Sequence, residues 1–537
     1  MDFIKPKTYN LKPITCQDGI ATMEILLAMV ILTLALTAVI LVLFGGQSVT
    51  TDAQTNQEAL YIAQEDIEDV RSQSRGSVSD FNSITSTPVT SEDIYDKQIL
   101  VSDISQCTKR VTSNVNWDLE QRPQAVSLAT ILTSVDAVIE VGGFCGPDSE
   151  PVSEWWYPNT FVSVDLKDFG GPNNGTSATS IDLINRDGNK YVVLGTKHST
   201  TGTHDVWIFD VTSCVFDDDP ANCIPTLAGS GNASNTSDGL NDIDSISNFA
   251  FAANNENQGQ FFAVDLSDLS DPVVAASTSL PGVDSNGSYP QGRKVFYFND
   301  RVYVGINETA GSEFHVYDVS DPANPAHLGE LELTHNVHDI IVRGDYAYLA
   351  TSDNSGEVMV IDISDPSSMI HPDISGMKFN APGNYDGNAL YLLGSKLYLG
   401  RDGNYNDPDI HNFFILDISN PASITSLGSK YIRRNPNISL GILTLVVSGK
   451  FAFMGTDDSN AEFQVFVVDN PADIRNCSEP GYPGGFVGCG KYDFPAKITD
   501  IKLHENLIYT AIESNDAFRI IFDNLICYED PSDPSCN

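Results

Sequence analysis

This chain is poor in positive charge. Its 29 Lys and Arg stand against 72 Asp and Glu, a formal net charge of −43 over 537 residues. Such a surface repels phosphate backbones and anionic headgroups, which excludes nucleic acid as a partner held by charge contact. Cysteine is scarce, at nine residues, and no Cys-x-x-Cys occurs, so zinc-ribbon and thioredoxin-like chemistry has no support. The nine His make no His-Glu-x-x-His. Gly-x-Ser-x-Gly, P-loop and dinucleotide-binding fingerprints are also lacking. His335 and His338 stand three apart at the entry to a strand rather than on a helix. No nucleophile stands beside a base, so the expectation is a protein that is not an enzyme and carries no cofactor, calcium being the one ion its acidic turns suit. An apolar content of 41% excludes wholesale disorder.

Cys16 lies near the N-terminus. The other eight cysteines fall in sequence-local pairs, Cys107/Cys145, Cys214/Cys223, Cys477/Cys489 and Cys527/Cys536. An even set fits an oxidising compartment, and proximity alone suggests the pairing.

Long uncharged, largely apolar runs are rare, and the longest covers 25–44, where only Thr33 and Thr37 are polar. Twenty helical residues span about 30 Å, a bilayer core. One carboxylate, Glu24, stands at its mouth behind a leader with Lys5, Lys7 and Lys12. A carboxylate costs about 2.5–3.5 kcal/mol at a bilayer centre, so Glu24 needs a partner. The string Asp18-Gly19-Ile20-Ala21-Thr22-Met23-Glu24 resembles the class III leader of type IV pilins and type II secretion pseudopilins. The resemblance implies a cut between Gly19 and Ile20 and an often methylated Ile20 amine. It makes Glu24 the fifth mature residue, paired with the N-terminal amine of a neighbouring subunit. The implied partners are a prepilin peptidase, other pilin or pseudopilin subunits through the N-terminal helix, and the inner membrane before assembly. The implied location is a single-pass N-terminal membrane anchor first, then a periplasmic or extracellular filament or the cell surface.

After Gly45-Gly46 the sequence turns polar, and Ala59, Leu60, Ala63, Ile67 and Val70 recur at helical spacing. Lys109 to Trp117 and Gln124 to Leu132 alternate as half-buried strands joined by a turn. This texture resembles minor pilins of the PilV and pseudopilin I type. The expected divisions are a leader at 1–19, a pilin helix with a transmembrane half at 20–75, a pilin-like β head at 76–150 and a further domain at 151–537.

That last region repeats. Val358-Met359-Val360-Ile361-Asp362-Ile363-Ser364-Asp365-Pro366 closes one unit, and its Asp recurs at Asp210, Asp265, Asp318, Asp417, Asp469 and Asp523 in steps of 44–55 residues. Units of this length with three strong strands and a weaker fourth read as propeller blades. The string resembles the LVIVD repeat. Seven blades are expected, six being the alternative. The strand at 161–166 precedes the first unit and suits closure of the ring against the last blade, which removes a sheet edge. The expected fold class is thus an α+β pilin module, a long N-terminal helix plus a small antiparallel sheet, followed by an all-β propeller.

The recurrent Asp is read as structural, because Asp before Ser-Asp-Pro accepts backbone N–H bonds and fixes a turn. A second set, Asp182, Asp242, Asp339 and Asp500, opens the innermost strands of four blades near one channel mouth. Turn capping and a seat for a cation or a basic ligand tip compete there. Asp402, Asn404 and Asn406 alternate as in a calcium loop but lack its sixth-position Gly and final Glu. The function expected is a minor pilin or pseudopilin-like subunit displaying the propeller for adhesion or binding of an unknown extracellular ligand. The alternatives are a pilin-anchored propeller enzyme acting on surface polymers and an unassembled membrane-anchored sensor.

Overall fold

In a computed structural model of the chain, the described residues are 18–74, 81–133 and 155–523, apart from 82, 93, 106–107, 120–121, 156, 172–175, 199–203, 217–219, 233–238, 256–258, 281–289, 404–409, 433–439 and 477–489. They belong to two units, Met1–Ile104 with Thr108–Ser134, and Ser105–Cys107 with Val135–Asn537.

The first unit holds helix α1 (Asp18–Ser74) and a four-stranded sheet in chain order, β1 (Thr90–Glu92), β2 (Tyr95–Ser105), β3 (Thr108–Leu119) and β4 (Arg122–Thr133). Ala59, Ala63, Ile67 and Val70 lie three or four residues apart and are buried. Alanine lets the helix axis approach the sheet, where Ala59 and Ala63 meet Tyr95, Val115 and Trp117. Tyr95 and Trp117 meet edge to face at 5.6 Å. The Tyr95 hydroxyl donates to Glu58 at 3.0 Å, and that of Ser113 to Asp66 at 2.8 Å.

Two expectations are corrected here. The chain is not an α+β pilin module followed by a propeller, because strands dominate it. Thirty-two strands carry the described residues, and apart from α1 the helices are single turns. Nor is a single-pass membrane anchor found, since among the described residues no helix is long and apolar enough to cross a membrane. From 54 onward only one stripe of the helix is buried.

In the second unit, the described residues form seven four-stranded sheets. Blades 1 to 6 occupy 176–231, 240–278, 292–331, 337–379, 387–430 and 442–492. Blade 7 takes 498–523 and adds Pro158–Asp165 as its outer strand. The innermost strands are Thr176–Arg186, Leu240–Ile246, Gly292–Phe298, Val337–Arg343, Gly387–Leu393, Ile442–Ser448 and Ile498–His504. Each contacts the next, and the seventh contacts the first, so the ring is closed. Both faces of a blade are covered by its neighbours. The third strands, such as Val358–Asp362, are therefore apolar throughout rather than alternating, with four successive buried residues.

The strings that end these strands are paired Asx turns. Asp210, Asp265, Asp318, Asp362 and Asp417 each accept the backbone N–H two residues on, at 2.7–3.0 Å. Asp321, Asp365, Asn420 and Asn470 repeat the device just beyond. In blade 7 the recurrent Asp has another use. Asp523, fully buried, accepts the backbone N–H groups of Trp155 and Tyr157, both at 2.8 Å. It thereby fastens the segment entering the closing strand. Trp155 then wedges against Phe453 of blade 6, ring centroids 4.8 Å apart.

Cys214 and Cys223 are disulfide-bonded in blade 1. The candidates Cys107, Cys145, Cys477, Cys489, Cys527 and Cys536 lie outside the described residues.

Candidate functional site

Each innermost strand carries a bulge near its start, read from the shift in its pairing with the second strand. The first residue after the bulge is Ser180, Asp242, Lys294, Asp339, Ala389, Thr444 and Asp500 in blades 1 to 7. Two residues further come Asp182, Asp244, Phe296, Ile341, Tyr391, Val446 and Lys502. Side chains two apart share a face, so the seven strands present two tiers along the ring's inner strands.

Asp182, Asp242, Asp339 and Asp500 are thus brought into one cluster, but not at one level. Asp242, Asp339 and Asp500 share the first tier, whereas Asp182 belongs to the second with Asp244, and Ser180 takes its expected place. Sequence reasoning also missed the cations. Lys294 Nζ lies 3.2 Å from Asp242 and 3.6 Å from Asp339. Lys502 Nζ lies 3.6 Å from Asp182.

Every one of these carboxylates also accepts a backbone N–H of the following blade. Asp182 accepts from Ser245 at 2.6 Å, Asp242 from Val295 at 3.0 Å and Asp244 from Tyr297 at 2.6 Å. Asp339 accepts from Leu390 at 2.7 Å, and Asp500 from Ile181 at 3.1 Å. The acids therefore stitch neighbouring inner strands where the ladder hydrogen bonds of each sheet stop. His338 does the same by another route, donating Nδ1–H to the Gly387 carbonyl at 2.9 Å. His335 is turned elsewhere, 3.5 Å from Asp353, so the two His do not converge.

Burial governs the electrostatics. It pushes Asp242 up to about 6 against the opposing pull of Lys294. Asp244 rises to about 7 by burial and then by the charge of Asp182. Asp339 is raised by burial, with Lys294 opposing. Burial works against the Lys294 ammonium, but Asp242, Asp339 and Asp500 outweigh it and hold the group well above its ordinary value. Lys502 is raised in the same way, Asp182 leading. Carboxylates outnumber ammoniums five to two, so the cluster keeps a negative field around two partly exposed ammonium groups.

Of the weaker calcium-loop set, Asp402 accepts from the Asn388 amide at 2.7 Å, and Asn404 and Asn406 lie outside the described residues. The side chains of Gly19, Ile20 and Glu24 lie outside them too.

A second polar girdle also went unread. Gln260, Glu313, Glu357, Asn412 and Glu462 each sit just before a third strand. Each accepts a backbone N–H from Leu280, Leu333, Ala381, Ile432 and Phe494 in turn, at 2.7–2.8 Å. The signal was one polar residue ahead of each apolar quartet.

No curated protein matches the chain. Among solved structures it is similar to the computationally designed Ika8 protein, at 10% identity and a TM-score of 0.39, covering 68% of this chain and 99% of that one. It is similar to BamB from Moraxella catarrhalis, at 11% and 0.37, covering 68% and 98%. It is likewise similar to the AfRom2 CNH domain, at 11% and 0.37, covering 68% and 97%. The family model of the LVIVD repeat matches residues 335–372 and 409–430. These segments are most of blade 4 and the outer two strands of blade 5, so the chain carries LVIVD repeats folded as propeller blades.

Proposed function

We propose that this chain is a binding protein rather than an enzyme, and that its propeller receives a cationic group of an extracellular ligand at the two-tier cluster. The supporting observation is the excess of carboxylate around Lys294 and Lys502, whose side chains are 24% and 38% exposed. A negative field with low-dielectric walls attracts a Lys or Arg tip or a hard cation. Calorimetry of the full chain with a Lys/Arg-rich peptide and with calcium chloride is the test. The peptide is expected to bind with heat that falls as salt rises. Asp339→Asn, which can still accept the Leu390 N–H, is expected to weaken binding about tenfold, or about 1.4 kcal/mol. Silence with both ligands leaves these residues as inter-blade fasteners only. Steady hydrolysis of a glycan or peptide moves the reading to an enzyme.

A finer reading is supported by the spacing of Gly19, Ile20 and Glu24. In it the chain is a minor pilin or pseudopilin-like filament subunit that displays the propeller for adhesion. N-terminal sequencing of protein from its native host is expected to begin at Ile20. A retained Met1 removes this reading.

A further inference from the structure

In blade 3 the third strand (Phe314–Asp318) pairs with the fourth (Ala326–Leu331), and His315 stands opposite Glu330. Residues three apart in a regular strand point to opposite faces. Here the register shifts between Val316 and Tyr317, leaving Leu328 as the extra residue, so His327 joins Glu330 on one face. Gly329 stands beside the bulge. A Cβ there would sit 1.8 Å from the Pro366 carbonyl oxygen of blade 4, so only glycine admits that close approach between blades.

His315 is fully buried, and its Nε2 donates to the Ser312 carbonyl at 2.8 Å. Its Nδ1 therefore carries a lone pair, and that atom has no hydrogen-bond partner. It faces Glu330 Oε2 at 3.5 Å, while His327 Nε2 lies 3.7 Å from the same oxygen. One ligand atom from each residue lies within 4.8 Å of the others. Ligands about 2.1 Å from a tetrahedral zinc ion stand about 3.4 Å apart; the two distances to Glu330 are already close to that, and the exposed His327 has to move by up to about an ångström to bring the third pair to it. The orphaned lone pair is a buried acceptor that a bound cation would satisfy.

We propose that His315 Nδ1, His327 and Glu330 bind a divalent transition-metal ion of the zinc class, with a fourth position open to water or a ligand donor. Two imidazoles and one carboxylate suit zinc, copper or nickel rather than calcium or magnesium. The Ser312 carbonyl fixes the His315 tautomer from the outer shell. His327 and Glu330 are 39% and 40% exposed, which gives the ion a way in.

The test is cobalt(II) added to the untagged full chain, read by the visible bands of a four-coordinate ion and their loss when zinc is added. One cobalt per chain is expected. His315→Ala empties a buried position and threatens the fold, so the exposed His327→Ala and Glu330→Gln are the informative variants. Each is expected to lower affinity at least about tenfold, with the far-UV spectrum unchanged. Asp339→Asn is expected to leave cobalt binding as it is, which separates this site from the channel cluster. Parent protein without visible bands, or folded His327→Ala and Glu330→Gln that bind as the parent does, overturns the proposal.

Discussion

Arg401→Met is expected to destabilise the propeller by about 3–5 kcal/mol, the cost of leaving one member of a buried ion pair alone. Arg401 and Glu357 are both fully buried, with Nη1 to Oε1 at 2.8 Å, and they join blade 5 to blade 4. The guanidinium also donates through Nε to the His411 carbonyl at 2.8 Å and through Nη2 to that of Pro382. It lies over the rings of Phe414 and Tyr385, 5.0 and 5.7 Å from their centroids. Methionine fills part of the volume but strands the carboxylate and both carbonyls. Glu357 spends its second oxygen on the Ala381 N–H and cannot turn away. The double variant Arg401→Met/Glu357→Met is expected to recover part of the loss, because removing both charges cancels the desolvation term. Urea midpoints of the full chain, followed in the far-UV, measure this. An Arg401→Met midpoint indistinguishable from the parent's disproves the account.

The second large effect is a fall in stability as pH rises from about 4 through about 7. Asp242 and Asp244 are raised by burial to about 6 and about 7 from an ordinary 3.8. Between those values the folded chain binds more protons than the unfolded one. The stability this brings is fully present below about 4 and lost as pH passes the folded values. Glu313 and Glu462, each pushed to about 7 by burial, act in the same direction. A carboxyl carried from 3.8 to about 7 costs about 4 kcal/mol when fully ionised, and more than half of that falls between pH 5 and pH 8. Asp244→Asn keeps an acceptor for the Tyr297 N–H, and it is expected to flatten the dependence by about 2 kcal/mol over that span. Lys294→Met, which strips Asp242 and Asp339 of their counter-charge, is expected to cost about 3–5 kcal/mol at pH 8 and less at pH 5. Urea midpoints at pH 5, 6, 7 and 8 follow these changes. An Asp244→Asn profile parallel to the parent's rules out the assigned cause.

The repeat was legible because its determinants are local. Apolar third strands followed by Asp, Ser and Asp-Pro or Asn-Pro need only a buried sheet and two Asx turns, and both are written in about ten consecutive residues. Cys214 and Cys223 were legible for the same reason, being nine residues apart. The apolar run at 25–44 misled, because hydropathy and length alone stood for a membrane span.

Register was not legible. The inner strand of blade 1 is 11 residues long and its bulge falls between Ala178 and Ser180, so Ser180 and not Asp182 matches Asp242. A slip of two residues keeps every side chain on its own face, and a period-two pattern cannot detect it. The blade repeat and the Asp-centred turns were thus determined by the sequence itself, through short-range hydrogen bonding and two-sided burial. Three arrangements were decided only in the tertiary structure. These are the placing of Lys294 and Lys502 among five acids, the pairing of Glu357 with Arg401, and the meeting of His315 with His327 and Glu330. Bulge positions and contacts between blades bring together residues whose spacing along the chain carries no period.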